Sequence, residues 1–367
     1  MIKADLLERA KKIHEETLIV AVHTDLIGDV AERHSVGESR VLGRLQAGLF
    51  RTAGIKCVSD HVIGDSFETQ SFPTRDLLTA FQGGKVYNPS MVKHGMKILS
   101  YMLRDIDESH EDFAVARTVG EIKSVAGSGR IAVVLCTQGL SPLEDEPALL
   151  EIYYRLGIRV LGLATYRGNA AVGGDRWTPE VGLTPLGREI IDEANRLKIV
   201  VDLSSVSEKA FWEILERAKG PVIASNTNVR AVCNHPGALS DDQLRGLAEK
   251  GGLLGVIANH RTVRADQKRP SLADFVDHIS HVAEVVGVDY VGLGPDIVED
   301  TWYPLETYRR VFEHVGYWSC LYPDDFETVA QLPNVTAEML RRGFSEEDVK
   351  KVLGGNILRV YERVWCA

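Results

Sequence analysis

Short apolar, β-branched runs recur along the chain, and between them the apolar residues fall at helical spacing. The runs lie at 18–22, 54–58, 131–135, 158–163, 199–203, 222–224, 253–257 and 290–293. They are continuously apolar rather than alternating, which marks strands of a parallel sheet covered by helices on both faces. Eight such β/α units in 367 residues predict a closed (β/α)8 barrel, a TIM-type α/β fold. The rival architecture is a doubly wound open sheet. Its glycine fingerprint is missing after the first run, where the chain reads His23-Thr24-Asp25-Leu26-Ile27-Gly28.

No linker rich in Pro, Gly or Ser divides the chain, so residues 1–367 are expected to form one domain. Two excursions, at about 60–125 and 297–335, follow strands and are expected over the barrel mouth. The first carries a helical pattern from Pro89 to about Asp107. The second is aromatic, with Trp302, Tyr303, Tyr308, Tyr317, Trp318 and Tyr322. The N-terminal segment reads as a charged amphipathic helix, and no run approaches the ~18 apolar residues of a membrane span.

Composition narrows the function. With 44% apolar and 26% charged residues the chain can bury a full core, and its net charge of −10 disfavours nucleic acid or an anionic membrane as partner. A small-molecule substrate is expected. The five cysteines (Cys57, Cys136, Cys233, Cys320, Cys366) form no CxxC pair, which fits a reducing, cytoplasmic setting. A homodimer is the default assembly.

In such a barrel the chemistry sits at the C-terminal ends of the strands. These ends supply His23 and Asp25; Asp60, His61 and Asp65; Gln138; Thr165, Tyr166 and Asn169; Ser204 and Ser205; Ser225, Asn226, Asn228 and Arg230; His260; and Asp296. The i, i+2 spacing of His23 and Asp25 lets an imidazole and a carboxylate converge on one cation, and Asp296 leaves the neighbouring strand of a closed ring. The same spacing also suits a rim histidine beside a capping aspartate. His260 and His61 are further ionisable groups at the mouth, either catalytic or hydrogen-bonded rim residues. Cys136 reads as a buried, inert thiol.

At these residues the chain resembles the membrane (renal) dipeptidase family, the M19 metallopeptidases of the amidohydrolase-like, metallo-dependent hydrolase barrels. The similarity runs through the His-x-Asp at 23–25, GIRV at 157–160, GLTPLGRE at 182–189, VVDLS at 200–204, VRAVCNHP at 229–236, VDYVGLGPD at 288–296 and the segment 343–361. The resemblance implies hydrolysis of small dipeptides or related amides by two zinc ions bridged by a glutamate. His23, Asp25 and Asp296 would then belong to the first metal site, and Arg230 would bind the substrate carboxylate. Tyr166 falls near the substrate-binding position after the fourth barrel strand.

The departures fall together. Gln138 stands where the family has its bridging glutamate, and Ser205 and Asn226 stand where it has the two histidines of the second metal. A neutral amide cannot screen two adjacent divalent ions, and hydroxyl or amide oxygens are weak zinc donors. One divalent ion, zinc, is therefore expected, with the second absent. Asp296, His260 and Gln138 are the expected catalytic groups; Arg230, Tyr166, Asn226 and Ser205 are the expected substrate contacts. Amide hydrolysis on a small amino-acid-like carboxylate is the leading reading. The alternatives are non-hydrolytic chemistry on the same scaffold (a lyase, isomerase or condensing enzyme) or an inactive ligand-binding relative.

Overall fold

Each apolar run forms a strand where its pattern places it. The computed structural model describes residues 3–65, 90–165, 167–267, 269–297 and 322–366. Its strands are β1 (Ile19–Thr24), β2 (Ile55–Gly64), β3 (Phe113–Val115), β4 (Ile131–Gln138), β5 (Ile158–Gly162), β6 (Val200–Asp202), β7 (Ile223–Thr227), β8 (Leu253–Val256) and β9 (Val291–Leu293). All ladders are parallel, in the order β1-β2-β4-β5-β6-β7-β8-β9, and β9 packs beside β1. The ring is a nearly closed eight-stranded barrel. β3 adds a short ninth strand that the sequence did not reveal, because three residues make no legible run. It pairs with Ile131–Val133 of β4, on the edge that β5 joins only from Leu135 onward.

Period-two alternation divides the buried residues. Val20, Val22, Val134, Val160 and Val200 pack together inside the barrel with Ile357, Val360 and Tyr361 of the last helix, Asn356–Trp365. Ile19, Ala21, Val133 and Val201 face the surrounding helices. Several of those helices begin where the sequence supplies caps. Thr184 accepts from the Gly187 N–H ahead of Pro185, and Ser240 and Ser271 form capping boxes.

The first excursion starts later than its pattern suggested, because β2 runs on to Gly64. Its described part holds the helix Met91–Glu108, β3 and the helix Val119–Gly127. Of the second, residues 298–321 lie outside the described ones, and with them all the expected lid aromatics except Tyr322. From Leu332 the chain is already in the helix Leu332–Arg341, packed on the N-terminal helix Ala4–Glu16. Among the described residues no helix is long and apolar enough to cross a membrane.

That helix contact sets a pH dependence. His14 donates from Nδ1 to the Ala53 carbonyl at 2.7 Å and accepts at Nε2 from Thr336 at 2.8 Å. Burial pushes its pKa down to about 4, against the Ala53 bond and with help from Lys56. Burial likewise holds His278 at about 4, where Nδ1 accepts from the Val229 N–H. Both rings are neutral in the fold and gain protons on unfolding. Their contribution is complete above the unfolded pKa of ~6.5 and is lost as pH falls toward 4, by up to ~3 kcal/mol each. Melting temperature should therefore drop steadily between about pH 7 and 4.5; a flat profile would contradict this.

Candidate metal centre

Three strands break their regular ladder where the polar residues begin. Register shifts fall between Ala21 and Thr24 of β1, His61 and Ile63 of β2, and Ala224 and Thr227 of β7. With Val20 and Val22 inside the barrel, strict alternation would send His23 toward the helices. The irregularity instead aims it at the mouth, the usual work of a bulge beside a functional site.

A chain of hydrogen bonds fixes the His23 ring. Asp202, fully buried at the end of β6, accepts at Oδ1 from the Ser204 N–H (3.0 Å), the Ser204 hydroxyl (2.8 Å) and the Ser225 N–H (2.9 Å). Its Oδ2 accepts from the Ser225 hydroxyl at 2.5 Å. Because Ser225 spends its proton there, it can only accept from His23, whose Nδ1 lies 2.8 Å away. The imidazole proton is thereby placed on Nδ1, and Nε2 keeps a lone pair. Burial lowers the His23 pKa against the pull of Asp296 and Asp202, so the ring is neutral. Burial opposes the charge on Asp202, but His61 and the Ser225 hydrogen bond hold it at about 2.

The lone pair points at a ring of polar atoms. Asp25 Oδ1 lies 3.6 Å from His23 Nε2 and Asp296 Oδ1 4.0 Å from it. Asn226 Nδ2 is at 3.2 Å and Gln138 Nε2 at 3.4 Å, and Asn226 Nδ2 also donates to Asp296 Oδ2 at 3.1 Å. Asp296 holds φ +53°, a left-handed conformation that aspartate tolerates better than most residues. Two residues earlier Gly294 passes so close to β7 that a Cβ would stand 1.7 Å from the Ser225 carbonyl oxygen. Gly139, at φ +116°, similarly leaves room for Asp65, whose carboxylate accepts from the Ser141 N–H (2.8 Å) and Asn169 Nδ2 (2.7 Å). That strut holds the end of β4, and so Gln138, in place.

The donor set fits a cation. Two carboxylates converge on a nitrogen lone pair, and Asp296 Oδ1 is buried with no hydrogen-bond partner among the described residues. Such an arrangement is repulsive until a positive charge enters it, and two carboxylates balance one divalent ion. Ligand atoms on a tetrahedron with bonds of ~2.0–2.1 Å stand ~3.4 Å apart, close to the His23–Asp25 separation. His23, Asp25 and His61 each offer a ligand atom within 4.8 Å of the others.

The other expected site residues are spread more widely. Ser205, at φ +62°, uses its carbonyl to accept from the Asp175 N–H at 3.0 Å. Arg230 sits on the rim, its Nε on the Ala238 carbonyl at 3.3 Å and Nη2 3.3 Å from Glu208 Oε2. His260 is fully buried in the first turn of the short helix His260–Val263 after β8. Tyr166 lies outside the described residues. Cys136 is buried, and burial first, then Asp60 and Asp202, push its thiol well above the usual range, as suits an inert core cysteine. Sequence reasoning missed Asp202 and the relay through Ser225. The available signal was a lone carboxylate ending an otherwise apolar, buried strand.

Comparison with known proteins identifies the family and the fold. The family model described as membrane dipeptidase (peptidase family M19) matches residues 7–366. The dipeptidase tcpJ of Claviceps purpurea is 32% identical over 268 residues, which are 72% of this chain and 58% of that protein. The chain thus spans little more than half the length of that relative. Among solved structures, the probable dipeptidase PvdM from Pseudomonas aeruginosa superposes with a TM-score of 0.80 at 18% identity, over 99% of both chains. A metallopeptidase from Rhodobacter sphaeroides, solved with a phosphinate mimic of the dipeptide L-Ala-D-Ala, superposes with a TM-score of 0.75 at 21% identity, over 95% of this chain and all of its own. These two likenesses bear on the fold alone. With its family match running from residue 7 to residue 366, the chain belongs to the membrane dipeptidase family, peptidase family M19.

Proposed function

We propose that the protein hydrolyses an amide bond in a small, dipeptide-like carboxylate substrate with one divalent ion, zinc, held by His23, Asp25 and Asp296. The observation that carries this reading is the Asp202–Ser225–His23 chain, which presents the Nε2 lone pair to two carboxylates. An ion held there would polarise a substrate carbonyl as a Lewis acid. Family membership and relatives named as dipeptidases support the substrate class.

The chain's own residues supply the rest. The amide N–H groups of Asn226 and Gln138 face the same point and can hold a substrate oxygen. Asp296 Oδ1 would hold the ion, which leaves Oδ2, beside Asn226 Nδ2, as the acceptor for a proton from the attacking water. Arg230 supplies a cation for the substrate carboxylate. Its present partner Glu208 is more than half exposed, and such a pair yields at ~0–1 kcal/mol. His260 enters as the imidazole at the mouth of β8, and Ser205 and Tyr166 as substrate contacts. A second ion would have to bind among Gln138, Ser205 and Asn226, which offer neither carboxylate nor imidazole.

One observation favours a second reading. Asn226 Nδ2 bonds both His23 Nε2 and Asp296 Oδ2, so an amide can fill the place of an ion in a metal-free site with non-hydrolytic or purely binding function. The two readings part on a panel of dipeptides and aminoacyl amides assayed before and after chelation. Turnover is expected to be weak on ordinary L-X-D-X dipeptides and stronger on a narrower subset, to vanish on chelation and to return with one equivalent of zinc. Turnover indifferent to chelation, or none on any amide, would favour the second reading.

A further inference from the structure

Among the described residues, His61 is a buried polar group with no hydrogen-bond partner. It is 2% exposed, and neither ring nitrogen makes a hydrogen bond among the described residues. A buried imidazole with two unpaired nitrogens forfeits on the order of 1–3 kcal/mol per group unless something else engages it. Its ring stacks on that of His23, with centroids 3.6 Å apart and planes 19° from parallel. Its Nε2 faces Asp202 Oδ2 at 3.6 Å.

We infer that His61 is a ligand of the same cation, making the set His23, Asp25, His61 and Asp296. The inference rests on the cation site proposed above and adds to it a second imidazole, delivered from β2. Three observations carry it. The ligand atoms of His23, Asp25 and His61 already lie within 4.8 Å of one another. His61 holds the last in-register place of β2 before the ladder shifts, opposite Cys136 of the inner cluster, so its ring faces the barrel interior at the mouth. Asp202 stands behind both imidazoles, directly behind His61 and through the Ser225 hydroxyl behind His23. A carboxylate behind an imidazole is the usual device for fixing the tautomer of a metal-binding histidine. A proton on Nε2 of His61, the nitrogen that faces Asp202 Oδ2 at 3.6 Å, leaves the lone pair on Nδ1. The same carboxylate acts on His61 by its charge and on His23 through hydrogen bonds. Two imidazoles and two carboxylates neutralise a divalent ion with four ligands, and a substrate oxygen would enter as the fifth, an expansion that catalytic zinc sites make.

The test counts imidazoles. Full-length protein is loaded with one equivalent of copper(II), displaceable by zinc, and examined by pulsed electron spin resonance. Two coupled imidazoles are expected in the wild type and one in His61→Ala. Zinc affinity should fall about 100-fold in both His61→Ala and His61→Gln. The glutamine variant guards against misfolding: its amide can face Asp202 as the ring does, so its metal-free melting temperature should stay near that of wild type. A single imidazole in the wild type, with zinc affinity unchanged in both variants, would overturn the assignment and leave the His23, Asp25 and Asp296 site standing. Wild-type protein that takes up no copper or zinc would remove that site and this inference together.

Discussion

Asp202→Asn is expected to give a folded protein whose zinc affinity is lower by about 10–100-fold, the usual effect of disturbing a partner behind a metal ligand. The substitution nearly preserves shape. The introduced asparagine can keep, through its Oδ1, the three bonds from the Ser204 N–H, the Ser204 hydroxyl and the Ser225 N–H. Its Nδ2, however, comes to stand where Oδ2 accepted from the Ser225 hydroxyl. Two donors cannot face each other, so Ser225 must accept from the new amide and donate to His23 Nδ1. The imidazole proton then moves to Nε2, and the lone pair leaves the mouth.

Two further variants separate this from simple destabilisation. Asp202→Ala strips the buried Ser204 and Ser225 amides of their acceptor and should cost about 3–5 kcal/mol in stability, read as a lower melting temperature. Adding Ser225→Ala to Asp202→Asn removes the donor that forces the wrong tautomer, so part of the zinc affinity should return. If Asp202→Asn binds zinc as tightly as wild type, the relay does not set the His23 tautomer.

The second large effect comes from restoring charge. Gln138→Glu is expected to lower the melting temperature of the metal-free protein and to make it rise steeply with added zinc. Gln138 Nε2 lies 3.4 Å from His23 Nε2, the atom around which Asp25 and Asp296 already gather within 4.0 Å. A third carboxylate there meets like charge, at about 4 kcal/mol for each pair ~4 Å apart at an effective dielectric of about 20. Glycine at 139 and the Asp65 strut leave the side chain little room to turn away. In the triple variant with Ser205→His and Asn226→His a second ion should bind. The φ of +62° at Ser205 is no obstacle, since histidine is among the side chains enriched in that conformation. If metal-free Gln138→Glu is as stable as wild type and indifferent to zinc, then Gln138 does not face the site.

The barrel was legible because its strands are buried on both faces, so each shows as an apolar run that composition alone separates from the helices. β3 was not legible, since Phe113–Val115 is short and borrows half of its setting from β4. Strand-end position was enough to bring His23, Asp25 and Asp296 together as candidates. What the sequence could not display is the backbone irregularity at 21–24, which decides where His23 points. A period-two reading assigns that side chain by parity, and a bulge changes the parity, whereas His61 and Ser225 keep the inward parity of Cys57 and Ile223. Asp202 stayed hidden for a related reason: inside the run Val200–Asp202 it resembles a strand terminus, and its role appears only once β7 brings Ser225 beside it. Arg230 is the reverse case. Its chemistry was readable, whereas its pairing with Glu208 joins residues 22 apart in sequence and needed the fold.

The most direct test is the number of metal ions per chain in protein purified without added metal, measured by elemental analysis and repeated on His23→Ala. One divalent ion per chain, lost in His23→Ala, is the predicted result. Two ions per chain, or one that survives the loss of His23, would contradict the account.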